Sequence, residues 1–508
     1  MKLQNLISII FAILLCSCHD KVENMNHQLT LGSYAAFSYD SLTLNSHRIR
    51  EQLDRMIRND VDSTTADYRT RSYYMNDGAF LWIDRHGVDC RADSLLKFLH
   101  TLSGEGFSPE KFRVHQIEKD LSRIRNLDIP QGVSINRIMG RLEYNLTKAY
   151  LRYSSGQRFG YMNPTYVFNR LDPMDPNAVK DSSPVRYRTL YDVHMEHAGK
   201  DFWPMAIRKI YNDSVSIFLH EIQPTSPMYK QLGRLLQSTA DPEKRVRILC
   251  NMERLRWRLK DYPQRYKKYV LLNIPSYRLR AVDGDKELTM RVGCGTQNTK
   301  TPLLSSWIKR MDVNPQWIMP RSIIEKSVVH HVGNRRWFES QNYYVRYRKT
   351  GKTIPIEQVT YNMLKDKDFL VIQKGGKGNS LGRIIFRFDN GFSIFLHDTS
   401  NRDFFAKDSR DVSHGCVRVQ KPFDLALFLL KNKDENTIHK LRYSMEVDSI
   451  NSDTVKKKWL LSSLPVEPQI PLFITYFTIY PDINGNLVFY PDVYGYDDVI
   501  YRYLKNYR

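Results

Sequence analysis

Cysteine is scarce in this chain: there are six among 508 residues, and no two of them form a C-x2-C pair. Structural zinc sites bring their ligands in closely spaced pairs, so a zinc-built fold is excluded and no metal is expected. The cysteines also lack the regular framework that staples small exported domains. Long apolar runs are missing too. The longest, Leu6 to Leu15, falls short of the roughly 20 residues a membrane-crossing helix needs. Neither repeats nor low-complexity tracts stand out. Acidic residues are under-represented, with 55 Asp+Glu against 76 Lys+Arg and a formal charge of +21. Such a balance favours anionic partners. The basic residues are nevertheless spread along the chain, and no nucleic-acid-binding motif accompanies them, so nucleic acid is not an expected partner.

What is present divides the chain in two. A length of 508 residues calls for more than one domain. Before about residue 262, apolar residues recur at helical spacing: Leu95, Leu96, Phe98, Leu99 and Leu102; Ile138, Leu142, Tyr144 and Leu146; Tyr229, Leu232, Leu235 and Leu236; Met252, Leu255, Trp257 and Leu259. These stripes read as helix core. After Lys267 the pattern turns to short β-rich runs, including Tyr269–Ile274, Leu288–Val292, Gly382–Phe388 and Phe392–Leu396. Asn390-Gly391 between the last two predicts a tight two-residue hairpin that leaves His397 at a strand end. Pro422 to Leu430 reads as a helix, and Phe473–Thr478 with Leu487–Tyr490 as a second hairpin around Asp482–Gly485. The fold class is α+β, with a mostly helical N-terminal domain followed by a β-rich one.

The chemistry concentrates in Ser413-His414-Gly415-Cys416-Val417-Arg418, with His397 upstream. Only a thiolate attacks a carbonyl, and a free thiol with pKa near 8.5 is mostly protonated at neutral pH. A neighbouring imidazole can take the proton and hold the resulting ion pair. Gly415 lets the backbone turn tightly, so that consecutive amides can face a developing oxyanion. Two blander readings compete. A cysteine is more often a small buried apolar residue than a catalyst. His414-x-Cys416 could also belong to a metal site, but it has no second pair nearby.

This segment, together with Phe395-Leu396-His397-Asp398-Thr399, resembles the signature of the L,D-transpeptidases that cross-link peptidoglycan (the YkuD-type catalytic domain), and in particular its larger, YcbB-like branch. Val270–Pro275, Tyr277-Arg278-Leu279, Gly293, Thr301-Pro302, Asn314–Trp317, Pro320 and Gly378–Arg383 follow in the branch's order. The resemblance implies Cys416 as nucleophile and His397 as base, with His414 orienting the site or assisting at the oxyanion. It implies an oxyanion hole from the amides around Gly415 and Cys416, and Ser413 as a hydrogen-bonding support for His397. Arg418 and Arg410 become candidates for binding a substrate carboxylate, a structural ion pair being the alternative for Arg418. No cofactor is implied. The expected partners are peptidoglycan stem peptides, a donor tetrapeptide and an acceptor stem, and the thiolate would make the protein a carbapenem target. Three other outcomes stay open: an L,D-carboxypeptidase or hydrolase on the same peptides; a papain-like or other cell-wall cysteine peptidase, although such enzymes usually place the cysteine before the histidine in the chain; and a non-catalytic envelope scaffold.

The N-terminus, with Lys2, a short apolar run and Leu15-Cys16-Ser17-Cys18, resembles a bacterial lipoprotein signal. We therefore expect a signal peptide over residues 1–17, lipidation at Cys18, a tether over 18–36, and a lipid-anchored periplasmic protein. A helical scaffold domain over 37–266 and a catalytic domain over 267–508 complete the organisation, with a capping insertion over 321–369. The insertion's Trp337, Phe338, Tyr343, Tyr344 and Tyr347 suit either a lid on the substrate or a self-packed excursion. Cys90, Cys250, Cys294 and Cys416 are expected as free thiols. Many relatives in the branch carry a separate wall-binding module near the joint of scaffold and catalytic domain. Here only about residues 238–247 separate two scaffold stripes, too few for such a module.

Overall fold

A computed structural model describes residues 43–84, 87–175, 185–431, 434–448 and 455–508. The expected signal peptide, Cys18 and the tether lie outside the described residues. Among those described, no helix is long and apolar enough to cross a membrane. The chain forms two compact units, and they are not two consecutive blocks. One holds the described residues up to Asn163, Glu196–Arg258 and Asp497–Arg508; the other holds Pro164–Met195 and Leu259–Tyr496. The expected boundary near 266 differs from this because a short strand at Tyr191–Asp192 joins the sheet of the second unit.

The first unit is helical, as its periodicity predicts. Its helices include α1 (Ser46–Asn59), α2 (Thr65–Met75), α3 (Cys90–His100), α4 (Val114–Asn126), α5 (Ile135–Phe159), α6 (Pro227–Ser238) and α7 (Pro242–Arg256). Helix α5 packs against α1, α2 and α4 and is buried almost all round. That burial includes charged residues, and each has a partner. Lys148 meets Asp60 at 2.6 Å and Asp62 at 2.7 Å, Arg152 meets Asp67 at 2.5 Å, and Glu143 accepts from the Leu81 and Trp82 amides and the Tyr74 hydroxyl. Arg256, fully buried on α7, meets Glu105 at 2.9 Å and Glu253 at 3.5 Å. Burying a charge without such a partner costs several kcal/mol, roughly 3–5 when one member of a pair is removed.

The second unit is built on one large sheet. Its strands are β1 (Tyr191–Asp192), β2 (Lys268–Asn273), β3 (Arg278–Asp283), β4 (Lys286–Gly295), β5 (Leu303–Val313), β6 (Trp317–Ile318), β7 (Tyr343–Tyr347), β8 (Thr353–Ile354), β9 (Phe369–Gln373), β10 (Ile384–Phe388), β11 (Leu396–His397), β12 (Asp411–Ser413), β13 (Val417–Val419), β14 (Ser463–Thr475), β15 (Ile479–Pro481) and β16 (Leu487–Phe489). The order β10-β11-β13-β4-β3-β2-β14-β5 closes on itself where β5 pairs with β10. β1 extends β5, and β12 runs beside β4. Closure removes open edges and gives the short β11 and β13 a rigid frame on both sides.

Two predicted turns come out differently. β10 and β11 do pair antiparallel, but only Leu396 and His397 form the second strand. Asn390 does not sit in a two-residue turn. Its side chain accepts from the Phe392 and Ile394 amides and donates to the Phe388 and Ile394 carbonyls, winding a wider loop. Near the C-terminus the hairpin is β15 with β16, while Phe473–Thr475 belongs to β14 in the main sheet. The helix after the nucleophile is present at Pro422–Leu429.

The insertion forms a separate small sheet, β8-β7-β9-β6, reaching from Trp317 to Gln373 and so past 321–369 at both ends. Its aromatics face one another. Phe338 is fully buried among Met319, Ile324, Val345 and Val371, and Trp337 stacks on His331 at 3.9 Å. Of the two arrangements expected, this is the self-packed one.

Candidate active site

Two adjacent parallel strands bring the predicted groups together. β11 and β13 pair so that Leu396 stands opposite Val417 and His397 opposite Arg418. Side chains alternate along a strand. Val417 and Val419 are fully buried on one face, which puts Arg418 on the other with its partner His397, and Cys416, one residue before the strand, toward that same side. Cys416 is half-buried and His397 is buried. The Nδ1 atom of His397 is buried with no hydrogen-bond partner. An unmatched buried nitrogen of this kind is costly.

The nucleophile loop is held by its carbonyls. Ser413 O accepts from the Thr296 amide at 3.1 Å and from Thr299 Oγ1 at 2.9 Å. Gly415 O accepts from Thr301 Oγ1 at 2.9 Å, and Cys416 O accepts from Ser413 Oγ at 2.5 Å. Thr301 Oγ1 also accepts from the Gly295 amide at 2.9 Å, and the Thr301 amide donates to Tyr494 Oη at 3.1 Å. Gly415 has φ +113, a backbone conformation that side-chain-bearing residues rarely adopt. With the carbonyls tied back, the amide of Cys416 has no acceptor among the described residues and is left to meet an oxyanion.

Several expected roles change. The Gly415 amide is not an open oxyanion donor, because it donates to Ser413 Oγ at 3.1 Å. Ser413 does not support His397; both of its hydroxyl bonds close the nucleophile loop on itself. Arg410 does not face a substrate. Its guanidinium donates to the carbonyls of Val292, Tyr277 and Lys407, and it is buried as a structural tie. His414 is exposed, and its side chain makes no hydrogen bond among the described residues. Arg418 has no carboxylate partner among the described residues, which removes the ion-pair reading. It lies over Phe404 at 5.6 Å, with its Nε buried and unpaired.

The electrostatics revise the ion-pair picture as well. Burial pushes the Cys416 thiol up, only partly offset by the Phe395 backbone and by the Arg418 charge. Burial and then Arg418 push His397 down from 6.5 to about 4, against the backbone groups of Asp398 and Leu381 that favour its protonation. Both shifts favour a neutral thiol and a neutral imidazole over the ion pair.

Sequence reading missed Thr299, Thr301 and Tyr494 as positioning groups, and Asp398, whose carboxylate accepts from the Arg383 amide at 2.9 Å and pairs with Arg402 at 3.1 Å. Thr301-Pro302 was visible as a motif; Tyr494 carries no local signal. Among the described residues no cluster of His, Cys, Asp and Glu is placed to hold a metal ion, and no disulfide joins Cys90, Cys250, Cys294 or Cys416.

Comparison with known proteins agrees with this division. Residues 267–439 match the family model of the YkuD L,D-transpeptidase catalytic domain, and residues 68–236 match that of a scaffold domain. A Haemophilus influenzae protein named "Putative L,D-transpeptidase" is 27% identical over 307 residues, covering 58% of this chain and 60% of its own length. A helical region that matches a scaffold-domain model, followed by a β-rich region that matches the YkuD catalytic-domain model, is thus the architecture of this chain.

Proposed function

We propose that this protein is a peptidoglycan L,D-transpeptidase of the YcbB-like branch, forming cross-links between third-position stem residues through a thioester on Cys416. The observation that carries the reading is the placing of Cys416 toward the strand face shared by His397 and Arg418, with the His397 Nδ1 buried and unpartnered. As the thiol sulfur attacks the carbonyl between the third and fourth residues of a donor stem, its proton passes to His397. The oxyanion takes the Cys416 amide, a contact of a kind typically worth ~3 kcal/mol. Collapse breaks the peptide bond, and the same proton leaves with the D-amino acid amine. An amine of a second stem then opens the thioester. Its proton returns through His397 to the sulfur, and the free enzyme is restored. Arg418 supplies a positive charge that favours the thiolate over the thiol at the moment of attack. The same reading makes the protein a lipid-anchored envelope protein acting on stem peptides.

The test is to incubate purified protein with disaccharide-tetrapeptide and read the products by mass spectrometry. A cross-linked dimer formed with loss of one D-amino acid, absent with Cys416→Ala, is the expected result. Tripeptide alone would make it a carboxypeptidase. No turnover, together with no covalent addition from a carbapenem, would leave only a scaffold.

A further inference from the structure

The β-rich unit has a second concavity that the chemistry at Cys416 does not use. An open depression of about 580 Å³ is lined by Asp192, His194, Asp261, Ser305, Trp307 and Asp389, a volume within the range of small-molecule sites. Trp307 projects from β5 with 36% of its surface exposed. Tyr266 meets the indole edge-on at 5.3 Å and 90°, which holds it in place. Two of the three carboxylates are already engaged: Asp261 accepts from Tyr266 Oη at 2.7 Å, and Asp389 pairs with Lys309. The rim is therefore not a bare anionic cluster. It offers carboxylate lone pairs, an exposed imidazole and an indole side by side.

That combination selects among ligand chemistries. Only Asp389 has a cationic partner, so Asp192 and Asp261 keep their charge and repel an anion, and a small cation is the competing occupant that the titration below separates. A neutral polyhydroxylated ring fits both parts: its hydroxyls donate to carboxylate oxygens while its C–H face packs on the indole. The depression is also linked to the nucleophile. Asp389 opens the loop wound around the Asn390 side chain, and Ile394 near its far end comes to within 3.7 Å of where a Gly415 Cβ would stand. A polymer bound along this loop could engage both places.

We propose that this depression is a saccharide subsite that takes a neutral acetylated hexosamine ring of a glycan strand while a stem peptide of the same polymer reaches Cys416. The proposal rests on the peptidoglycan reading above. It also gives the chain a grip on glycan without a separate wall-binding module.

The test titrates the full-length chain with tetra-N-acetylchitotetraose, a neutral oligosaccharide without peptide, by calorimetry and tryptophan fluorescence. Saturable binding is expected, weakened about tenfold or more by Trp307→Ala, partly restored in Trp307→Phe, and kept in Cys416→Ala. Asp192→Lys changes an exposed position and should weaken binding without disturbing the circular dichroism spectrum. Absence of saturation up to about 20 mM overturns the proposal, as does equal binding by Trp307→Ala, or preferential binding of a simple diamine. Carbapenem acylation of Cys416 separates the two readings. Acylation without sugar binding overturns the subsite alone, and sugar binding without acylation overturns the transpeptidase.

Discussion

Two places in the molecule treat buried polar groups in opposite ways. Around α5 in the helical unit, Lys148, Arg152, Asp60 and Asp67 are held in a closed set of ion pairs. Beside the nucleophile, His397 Nδ1 and Arg418 Nε are buried without hydrogen-bond partners among the described residues, near a thiol that burial keeps protonated. Satisfied polar groups fix a structure, whereas unsatisfied ones store a cost that a bound substrate can relieve. The same low dielectric thus serves rigidity in one region and reactivity in the other.

The contrast can be broken at either end. The largest effect is expected from Asp67→Ala, which leaves the buried Arg152 only Asp62 as a carboxylate partner: a loss of about 3 kcal/mol in urea unfolding, with little change in the acylation rate of the folded fraction. An unchanged midpoint would mean that the network is not needed for stability. At the site the signature is pH dependence. The His397 pKa is lower folded (about 4) than its ordinary 6.5, so the unfolded chain binds more protons between those values. Its contribution is complete above pH 6.5 and is lost as pH falls toward 4, by up to roughly 3 kcal/mol. Unfolding of wild type and His397→Gln, compared at pH 7 and 5, isolates this slope; parallel curves would show that the imidazole is not buried neutral. The smallest effect is expected for Thr301→Val, which leaves Gly415 O and the Gly295 amide each short of a partner. A loss of about 1–3 kcal/mol is expected, with acylation by a carbapenem roughly tenfold slower. A change in stability alone would reduce Thr301 to a structural tie.

Much of this architecture was legible in the chain, and the failures share a cause. Helical stripes and the change to short strands after Lys267 are local patterns, and most appear where the spacing places them. The helix of the last stripe, however, stops at Arg256, short of Trp257 and Leu259, and only Leu396 of the Phe392–Leu396 run is strand. The alternation that sets Arg418 against Val417 and Val419 is local too. What escaped was long-range. Ser413 O and Gly415 O are tied by threonines 114 residues away, and no motif around the nucleophile announces them. Tyr191–Asp192 joins the sheet through pairing with β5, more than a hundred positions downstream, so the unit boundary could not be placed by composition. The Asn390-Gly391 turn failed for a different reason. The asparagine side chain bonds four backbone groups, and the wider loop this makes outweighs the usual preference of the dipeptide for a tight turn.

The protonated state of the sulfur also bears on its survival. Peroxides and disulfides react with thiolates far faster than with thiols. Burial that keeps the Cys416 thiol protonated therefore makes it a poor target for oxidants.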